Sequence, residues 1–400
     1  MIRCLVCVLL AEICVTASGE ASTCTNTSTG NVPLTELGSG TYQGFQGGLY
    51  PGGTNVRPAA FEAAGQSAAA QIAPLNGSGA PDPNGWIVLL SIGMSNTSLE
   101  FAAFIPVANA DPAKNQRLVL VNGAQGGIDA VQWADPQNPC WNVAESRLQG
   151  AGVTPMQVEA IWLKQSIAGE QPTGAFPTDA VRLQGLLQDI LENAKVRYPN
   201  VKVAYVSNRI YAGYGSREPF AYWTGFSVKW LVEANLQGNP TLPWTAWGPY
   251  LWADGTTPRN DGLTWVCSDF MSDGIHPAGS GQQKVVTLLL NFFKTDPTAT
   301  PWFVRSTTGV PDQQGVRAVR LLLSPNPMRD RVAITREDGG ALSHIGLYDM
   351  EGRLIRVVPQ ADTGVRAIWD GRDLSGCRVP SGIYLVRMPG LSAAKLVVRN

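Results

Sequence analysis

Short apolar segments of strand length alternate with helical segments through the middle of this chain, and this alternation restricts the fold more than any other feature. Asp179–Arg197 is predicted as an amphipathic helix from its apolar spacing, and Gly281–Phe293 as the final helix. A capped helix is predicted at Ser95–Phe101 and a weak one near Pro58–Ala73. Buried strands that alternate with helices favour a parallel sheet with helices on both faces. We therefore predict an α/β fold with three layers, α/β/α. The apolar segments are Trp86–Ile92, Arg117–Val121, Val158–Leu163 and Val201–Val206.

Polar residues or glycines lie just past these elements. Ser95 follows the first apolar segment, Gly126 and Gly127 follow the second, and Gln165 follows the third. In open parallel sheets the ligand crevice lies beyond the carboxyl ends of the strands. We therefore expect these residues to share one crevice with the loop that precedes the last helix.

That loop contains Asp273 and His276. The chain has two histidines in all, so a reaction that needs an imidazole base at neutral pH has little choice of residue. Asp273 is close enough in sequence to orient the ring. A serine becomes nucleophilic when such a base takes its proton, and Ser95 is the candidate. Simpler interpretations are that Ser95 caps a helix, that the two glycines form a plain turn, and that this loop is an ordinary surface loop. His344 is predicted on a strand near the C-terminus, with a structural role.

These residues resemble the SGNH/GDSL family of serine esterases over roughly 86–294, about half of the chain. Gly93–Asn96 is similar to the family's Gly-Asp-Ser block, with Met94 in place of the aspartate. Asn122–Gly127 is similar to the second block, and the Asp-x-x-His motif is present in full. The resemblance implies a Ser95, His276 and Asp273 triad, with the oxyanion held by the backbone N–H groups of Ser95 and Gly127.

The third family block is the least similar. Trp162–Gln165 resembles the Trp-x-Gln form of the sialate O-acetylesterase-like branch, which implies that the Gln165 amide completes the oxyanion hole. Asn208 is the alternative donor, because this block lacks the usual glycine and asparagine. Trp133 suits the same branch, and it is a candidate substrate-binding residue together with Trp223. Trp223 belongs to a Trp-rich region whose rings are either buried for structure or stacked on sugar faces.

The first 20 residues predict a secretory signal peptide, because Arg3 precedes an apolar core that ends in small residues. No later segment is long enough to span a bilayer. A formal charge of −1 without a basic run argues against nucleic acid as a partner. The few scattered histidines argue against a metal site, and no cofactor is predicted. We expect a secreted or cell-surface protein.

Four cysteines lie beyond the predicted signal peptide and can pair in three ways. An exported protein enters an oxidising environment, in which disulfides can form. One option joins Cys140 to Cys267, and the pairing stays open at this point. The four are Cys24, Cys140, Cys267 and Cys377.

The C-terminal part has a different pattern. Residues 21–300 are predicted to form the hydrolase-like domain, residues 301–315 a linker and residues 316–400 an all-β sandwich. Leu347–Arg353, Trp369–Asp373 and Pro380–Tyr384 resemble the type IX secretion sorting domain, and the second of these is shared with the Ig-like domain of flagellar hook-capping proteins. The resemblance implies the secretion machinery as a partner; a carbohydrate-binding or spacer sandwich is the alternative. The predicted strands are Ala318–Leu323, Arg331–Thr335, His344–Tyr348, Leu354–Val358, Val365–Trp369, Gly382–Met388 and Lys395–Val398.

Together these features predict an exported serine esterase that removes short acyl groups, such as acetyl, from a small-molecule or oligosaccharide ester. The main alternative is a non-catalytic, surface-displayed carbohydrate-binding protein on the same fold. A third is a lipase, which would need a wide apolar groove for long acyl chains.

Overall fold

A computed structural model describes residues 22–168, 173–305, 321–342, 345–349, 354–358, 364–388 and 394–399. The predicted signal peptide and His344 therefore lie outside the described residues. The chain divides into two compact units. The described part of the first ends at Arg305, and that of the second begins at Leu321. The helices are α1 (Leu34–Leu37), α2 (Ala59–Ala69), α3 (Ser95–Ala110), α4 (Ala130–Ala134), α5 (Cys140–Gly150), α6 (Thr178–Arg197), α7 (Phe220–Ala234), α8 (Gly279–Thr295) and α9 (Thr300–Phe303).

The strands are β1 (Thr41–Tyr42), β2 (Phe45–Gln46), β3 (Ile87–Gly93), β4 (Leu118–Asn122), β5 (Val158–Lys164), β6 (Val203–Ser207), β7 (Trp244–Trp247), β8 (Leu321–Ser324), β9 (Val332–Arg336), β10 (Ile345–Tyr348), β11 (Leu354–Val358), β12 (Arg366–Trp369), β13 (Gly382–Arg387) and β14 (Ala394–Val398). Every apolar segment predicted as a strand in the first unit is one, as β3 to β6, with ends shifted by no more than two residues.

The first unit contains a five-stranded parallel sheet in the order β4-β3-β5-β6-β7. The chain runs from β3 outward to β4 and then returns to β5 on the other side of β3. Crossovers between parallel strands are right-handed, so this reversal places α3 on one face and α6 on the other. The prediction of a parallel sheet covered on both faces is confirmed. The reversal also opens a crevice at the carboxyl ends of β3 and β5.

Burial is deepest in the middle of this sheet. Every residue of β3 and β5 is buried, as expected for strands covered on both faces. Aromatic rings join the layers: Phe101 of α3 stacks on Trp162 of β5 with ring centroids 5.6 Å apart. Phe104 of α3 meets Phe293 of α8 at 5.8 Å. These contacts hold the helix that begins at Ser95 rigidly against the sheet.

The Trp-rich region is part of the core, which corrects the idea that its rings form one sugar-stacking wall. Trp252 and Trp265 are fully buried and Trp247 is 2% exposed. Their indole N–H groups donate inside the protein, Trp265 to the Leu251 carbonyl at 2.9 Å and Trp247 to that of Leu49 at 2.8 Å. A buried indole needs such an acceptor, so these rings are structural.

The N-terminal segment is fastened to the rest of the first unit. Cys24 forms a disulfide with Cys267, so the suggested pairing of Cys140 with Cys267 is wrong. Cys140 is a buried free thiol, and Cys377 is free and exposed. The Asp254 carboxylate accepts backbone N–H groups from Thr29 and Gly30 at 2.6 and 2.9 Å, which fixes the segment that follows Cys24.

The predicted linker begins too early. Residues 300–303 form α9, and Trp302 and Phe303 are buried in the first unit. Their rings pack on Phe293 of α8. Burial of these two side chains outweighs the turn-like composition of the preceding residues. The rest of the predicted linker, from residue 306, lies outside the described residues.

The second unit consists of two antiparallel sheets, β11-β10-β13-β14 and β12-β9-β8. Each predicted C-terminal strand has an observed counterpart among β8 to β14. Inward-facing side chains of both sheets, including Ile334, Leu347 and Trp369, form one apolar core. The chain is thus an α/β unit followed by a β unit. Among the described residues, no helix combines the length and apolar character needed to cross a bilayer.

Candidate active site

Ser95 lies at the carboxyl end of β3, where the chain turns sharply into α3. The turn depends on Gly93, because a Cβ there would lie 2.4 Å from the Thr97 side chain and 2.5 Å from the Lys164 carbonyl oxygen. Met94 is extended, and the 16-residue helix begins at Ser95 itself. Ser95 is therefore the first helical residue rather than its cap, and its side chain is free for another partner. The N-terminal end of the helix places partial positive charge beside it.

That partner is His276. The His276 Nε2 atom lies 2.7 Å from Ser95 Oγ, and its Nδ1 atom lies 2.5 Å from Asp273 Oδ2. The three predicted residues thus form one hydrogen-bonded chain. A carboxylate at Nδ1 holds the ring proton there and leaves Nε2 to accept the serine proton.

Asp273 is held in a fixed orientation by the backbone. Its Oδ1 accepts the N–H groups of Ile275 and His276, both at 2.9 Å. Burial opposes ionisation of this carboxyl, but the two N–H groups and the His276 ring outweigh it, so the pKa of Asp273 lies below its ordinary value. Asp273 is therefore an anion throughout the neutral range and can stabilise an imidazolium.

The histidine loop, residues 271–278, is fastened on three sides. Asn96, next to the serine, donates from Nδ2 to the Ile275 carbonyl at 3.0 Å. Ser22 donates its N–H to the Ser272 carbonyl at 2.9 Å. Gly274 has a φ of 66°, and a Cβ there would lie 2.4 Å from the backbone of Tyr214. These contacts fix the base relative to the nucleophile.

Gly126 and Gly127 lie beside the serine. A Cβ on Gly126 would be 4.0 Å from Ser95 Cβ, and Gly127 has a φ of 76°, which favours glycine. The turn is fixed by Gln125, whose N–H donates to the Gly93 carbonyl at 2.9 Å. Within the described ranges, the backbone N–H groups of Ser95, Gly126 and Gly127 donate to no protein acceptor. Such free donors beside a nucleophile suit a developing oxyanion.

The side chain of Gln165, which was expected to complete the oxyanion hole, does not lie in the cavity. Gln165 is 2% exposed, does not line the cavity at Ser95, and donates from Nε2 to the Ile128 carbonyl at 3.4 Å. Asn208, the alternative, is fully buried, and its Oδ1 accepts the Leu251 N–H at 2.8 Å. Gln165 is thus used by a backbone carbonyl, so assigning it to the oxyanion hole is corrected. Asn208 does not line the cavity either, and its buried Nδ2 has no partner among the described residues.

The two tryptophans have different surroundings. Trp133 is fully buried, and its indole donates to the Gly93 carbonyl at 3.2 Å. It supports the turn that carries Ser95 and cannot contact substrate. The prediction that Trp133 binds substrate is therefore corrected. Trp223 lines the cavity at Ser95, and its indole donates to Tyr42 Oη at 2.9 Å.

A cavity of about 870 Å³ opens in front of the triad. Its volume is in the range of pockets that hold small organic ligands and far exceeds an acetyl group. Apolar side chains form part of the wall. The residues that line it include Ser95, His276, Gly126, Gly127, Val131, Ile167, Phe220, Trp223, Asp129, Arg209, Arg217 and Glu218.

The charged residues of this wall were not predicted from the sequence. Arg209 is 5% exposed, and burial lowers the pKa of its guanidinium. Burial raises the pKa of Glu218 to about 7 against the hydrogen bonds that it accepts. Arg209 lies two residues after the end of β6, so its position past a strand end was the available signal. Within the described part of the chain, no cluster of three His, Cys, Asp or Glu residues could hold a metal ion.

No family model and no curated protein sequence matches this chain. Among solved structures, dimeric latent PorU from Porphyromonas gingivalis is similar at 25% identity and a TM-score of 0.17, over 24% of this chain and 10% of that one. A structure titled as a protease has 9% identity and a TM-score of 0.18, over 78% and 97%. A bacterial fucosidase with an iminocyclitol inhibitor has 11% identity and a TM-score of 0.19, over 82% and 98%. Scores this low carry no argument about fold or function.

Proposed function

We propose that this protein is an exported serine carboxylic-ester hydrolase of the SGNH/GDSL type. The observation that carries the proposal is the 2.7 Å contact between Ser95 Oγ and His276 Nε2, with Asp273 behind the ring, at the mouth of a cavity. A protein that only binds a ligand has no need of an oriented base at a serine hydroxyl. The β3–α3 turn and the order of the motifs support the family resemblance.

The chemistry follows from these positions. His276 Nε2 takes the proton of Ser95 Oγ while Oγ forms a bond to the ester carbonyl carbon, and the carbonyl electron pair moves onto oxygen. The free N–H groups of Ser95 and the Gly126–Gly127 turn stabilise that oxyanion. When it collapses, the bond to the alcohol oxygen breaks and the alcohol leaves with the proton from His276. Water then attacks the acyl-serine by the same route, which yields the carboxylic acid and restores Ser95.

We propose an ester with a short acyl group on a carbohydrate as the substrate. The family resemblance supports a small acyl group, and the cavity of about 870 Å³ leaves room for the alcohol part. Trp223 lines that cavity but is only 4% exposed, so the carbohydrate part of the proposal rests on the family resemblance rather than on an open stacking surface. A lipase would need a groove for a long chain, and the charged residues of this cavity wall disfavour one.

We propose that the second unit is a type IX secretion sorting domain with an Ig-like fold, so that the esterase is secreted or held at the cell surface. Its two antiparallel sheets support the sandwich class. The Trp369–Asp373 motif forms a tight turn in which the Trp369 indole donates to the Arg372 carbonyl at 2.8 Å. Deletion of residues 321–400 is expected to keep the protein inside the producing cell.

The test of the enzymatic proposal is hydrolysis of 4-nitrophenyl acetate by the full chain. Ser95→Ala and His276→Ala should each lower kcat by at least about a thousandfold, since the triad acts as a unit. Ser67→Ala, at an exposed serine of α2 that bonds only to its own helix, is the matched control and should keep full activity. A fluorophosphonate should label Ser95, as read by mass spectrometry. Turnover that survives Ser95→Ala, or none from a folded wild type, would refute the proposal and leave carbohydrate binding as the better explanation.

A further inference from the structure

Among the described residues, two guanidinium groups of the cavity wall have no carboxylate that accepts a hydrogen bond from them. Arg209 and Arg217 both line the cavity. Neither donates a side-chain hydrogen bond to a protein acceptor or forms an ion pair anywhere in the described ranges. Arg217 is half-buried and can be hydrated, but Arg209 is 5% exposed and its Nη2 is buried without an acceptor. A buried cation without a partner is costly and uncommon.

The acidic residues near Arg209 are already satisfied by other groups. Glu100 is fully buried and bound by Lys164, whose Nζ lies 2.5 and 2.6 Å from its two carboxylate oxygens. Glu218 accepts the N–H groups of Ala212 and Tyr222 at 3.1 and 3.0 Å, and the Trp252 indole at 2.8 Å. Glu218 therefore accepts its hydrogen bonds from neutral donors and none from Arg209, on which its charge acts only through space.

The other acidic residue of the wall, Asp129, has a role in the backbone. It caps α4 by accepting the Val131 N–H at 3.0 Å, and its second oxygen accepts the Ala168 N–H at 2.8 Å. The positive charge of Arg209 is thus the one buried charge of the described cavity wall that lacks a hydrogen-bonded counter-group. A ligand in the cavity can supply that group.

We propose that Arg209 is a specificity-determining residue that receives an anionic group, such as a carboxylate, on the ester substrate, with Arg217 as a second positive charge at the same cavity. The inference rests on the proposed esterase function and narrows its substrate class to charged esters. A guanidinium binds a carboxylate through paired N–H donors. The anion would pair with the part of the Arg209 guanidinium that faces the cavity and would offset its buried positive charge, whereas a neutral ester would leave that charge uncompensated.

The test uses two pairs of esters that differ only in charge, with the full-length protein. The first pair has the carboxylate on the acyl side: mono-4-nitrophenyl succinate and its methyl ester. The second has it on the alcohol side: 4-acetoxybenzoate and its methyl ester. In the wild type, kcat/KM should favour the charged member of one pair, and the pair that responds identifies which side of the ester faces Arg209.

Arg209→Gln should lower kcat/KM for that charged ester by roughly tenfold to a hundredfold, the usual effect of losing a hydrogen bond to a charged group. The neutral ester of the pair should change little. Arg366→Gln, the same change at an exposed position of the second unit, should alter neither. Equal effects of Arg209→Gln on charged and neutral esters, or no effect on either, would overturn the inference.

A second measurement keeps the inference testable if Arg209→Gln does not fold. Wild-type protein should bind 4-hydroxybenzoate at least about tenfold more tightly than 4-hydroxybenzamide, as measured by calorimetry; equal affinities would overturn the inference. This readout also separates the two proposals. Preferential binding of the anion without Ser95-dependent turnover of any ester would refute the esterase function and support the anion site.

Discussion

Replacement of Asp273 by asparagine tests the triad more sharply than loss of the serine, because the structure predicts which way the new amide must face. Two backbone N–H groups, from Ile275 and His276, point at Oδ1. The asparagine oxygen must stay there to accept them. Its NH₂ group then occupies the place of Oδ2, 2.5 Å from His276 Nδ1 in the wild type. Two N–H donors cannot face each other, so Nδ1 must lose its proton and become the acceptor.

The proton then moves to Nε2, the atom that faces Ser95 Oγ. An imidazole protonated at Nε2 cannot take the serine proton, and the carboxylate that would stabilise the imidazolium is gone. Such tautomer reversal costs about 10⁴ in kcat in serine hydrolases of this design. The assay is hydrolysis of 4-nitrophenyl acetate at neutral pH, with kcat and KM determined separately. We expect the loss in kcat, with KM within about threefold, because the change does not alter the cavity wall.

The control for Asp273→Asn is its thermal stability and the binding of a non-hydrolysed ligand, both of which should stay near wild type. Asp338→Asn, at an exposed aspartate of the second unit, is the matched substitution and should leave kcat unchanged. If Asp273→Asn kept more than about a tenth of the wild-type kcat, His276 would not depend on this carboxylate, and the mechanism derived from these distances would be wrong.

Two further predictions concern stability. Glu159 is 1% exposed with Oε2 lacking a partner among the described residues, and burial, opposed by the Ala73 N–H, raises its pKa from 4.5 to about 8. Between those pH values only the unfolded state loses this proton, so the free energy of unfolding should fall as pH rises. In urea unfolding the wild type should lose on the order of 4 kcal/mol between pH 5 and 8, and Glu159→Gln should remove that loss. A variant whose free energy of unfolding falls with pH as steeply as that of the wild type would contradict the assignment. Serine at both Cys24 and Cys267 should lower the free energy of unfolding by about 2–4 kcal/mol and make it insensitive to reductant, whereas Cys377→Ser should change neither; reductant sensitivity that persists in the double variant would place the relevant disulfide elsewhere.

The strands and helices that could be predicted share one property: their environment gives the sequence a regular pattern. β3 and β5 are covered on both faces, so most of their residues are apolar, and α6 has one buried face and one exposed face. α7 was missed because most of its residues are buried all round, which removes the helical period. β7 was missed because its four residues lie in a segment rich in tryptophan and proline, where no alternation is visible.

For the candidate site, the residues with a role in proton transfer could be found because chemistry leaves few choices for them. Ser95, Asp273 and His276 were predicted and lie together. The oxyanion side chain could not be predicted, because an amide such as Gln165 satisfies a backbone carbonyl as readily as an oxyanion. Trp133 was misassigned for a similar reason. An indole near the site can either support the backbone from the core or contact substrate, and only its burial in the structure distinguishes the two roles.

The N-terminal segment around Ser22–Cys24 helps to position the histidine loop. Ser22 bonds to the histidine loop, and Cys24 is joined to Cys267 shortly before that loop. Its neighbour Thr23 donates its N–H to the Tyr214 carbonyl at 2.9 Å, on the backbone against which Gly274 packs. A loop that carries a base must hold it within a few tenths of an ångström, and residues close in sequence cannot do this alone because the loop has little secondary structure of its own. The geometry at His276 therefore depends on a segment joined to it by a disulfide across 243 residues, a bond that forms and persists under oxidising conditions. This dependence ties the competence of the triad to the exported setting in which we propose that the enzyme acts.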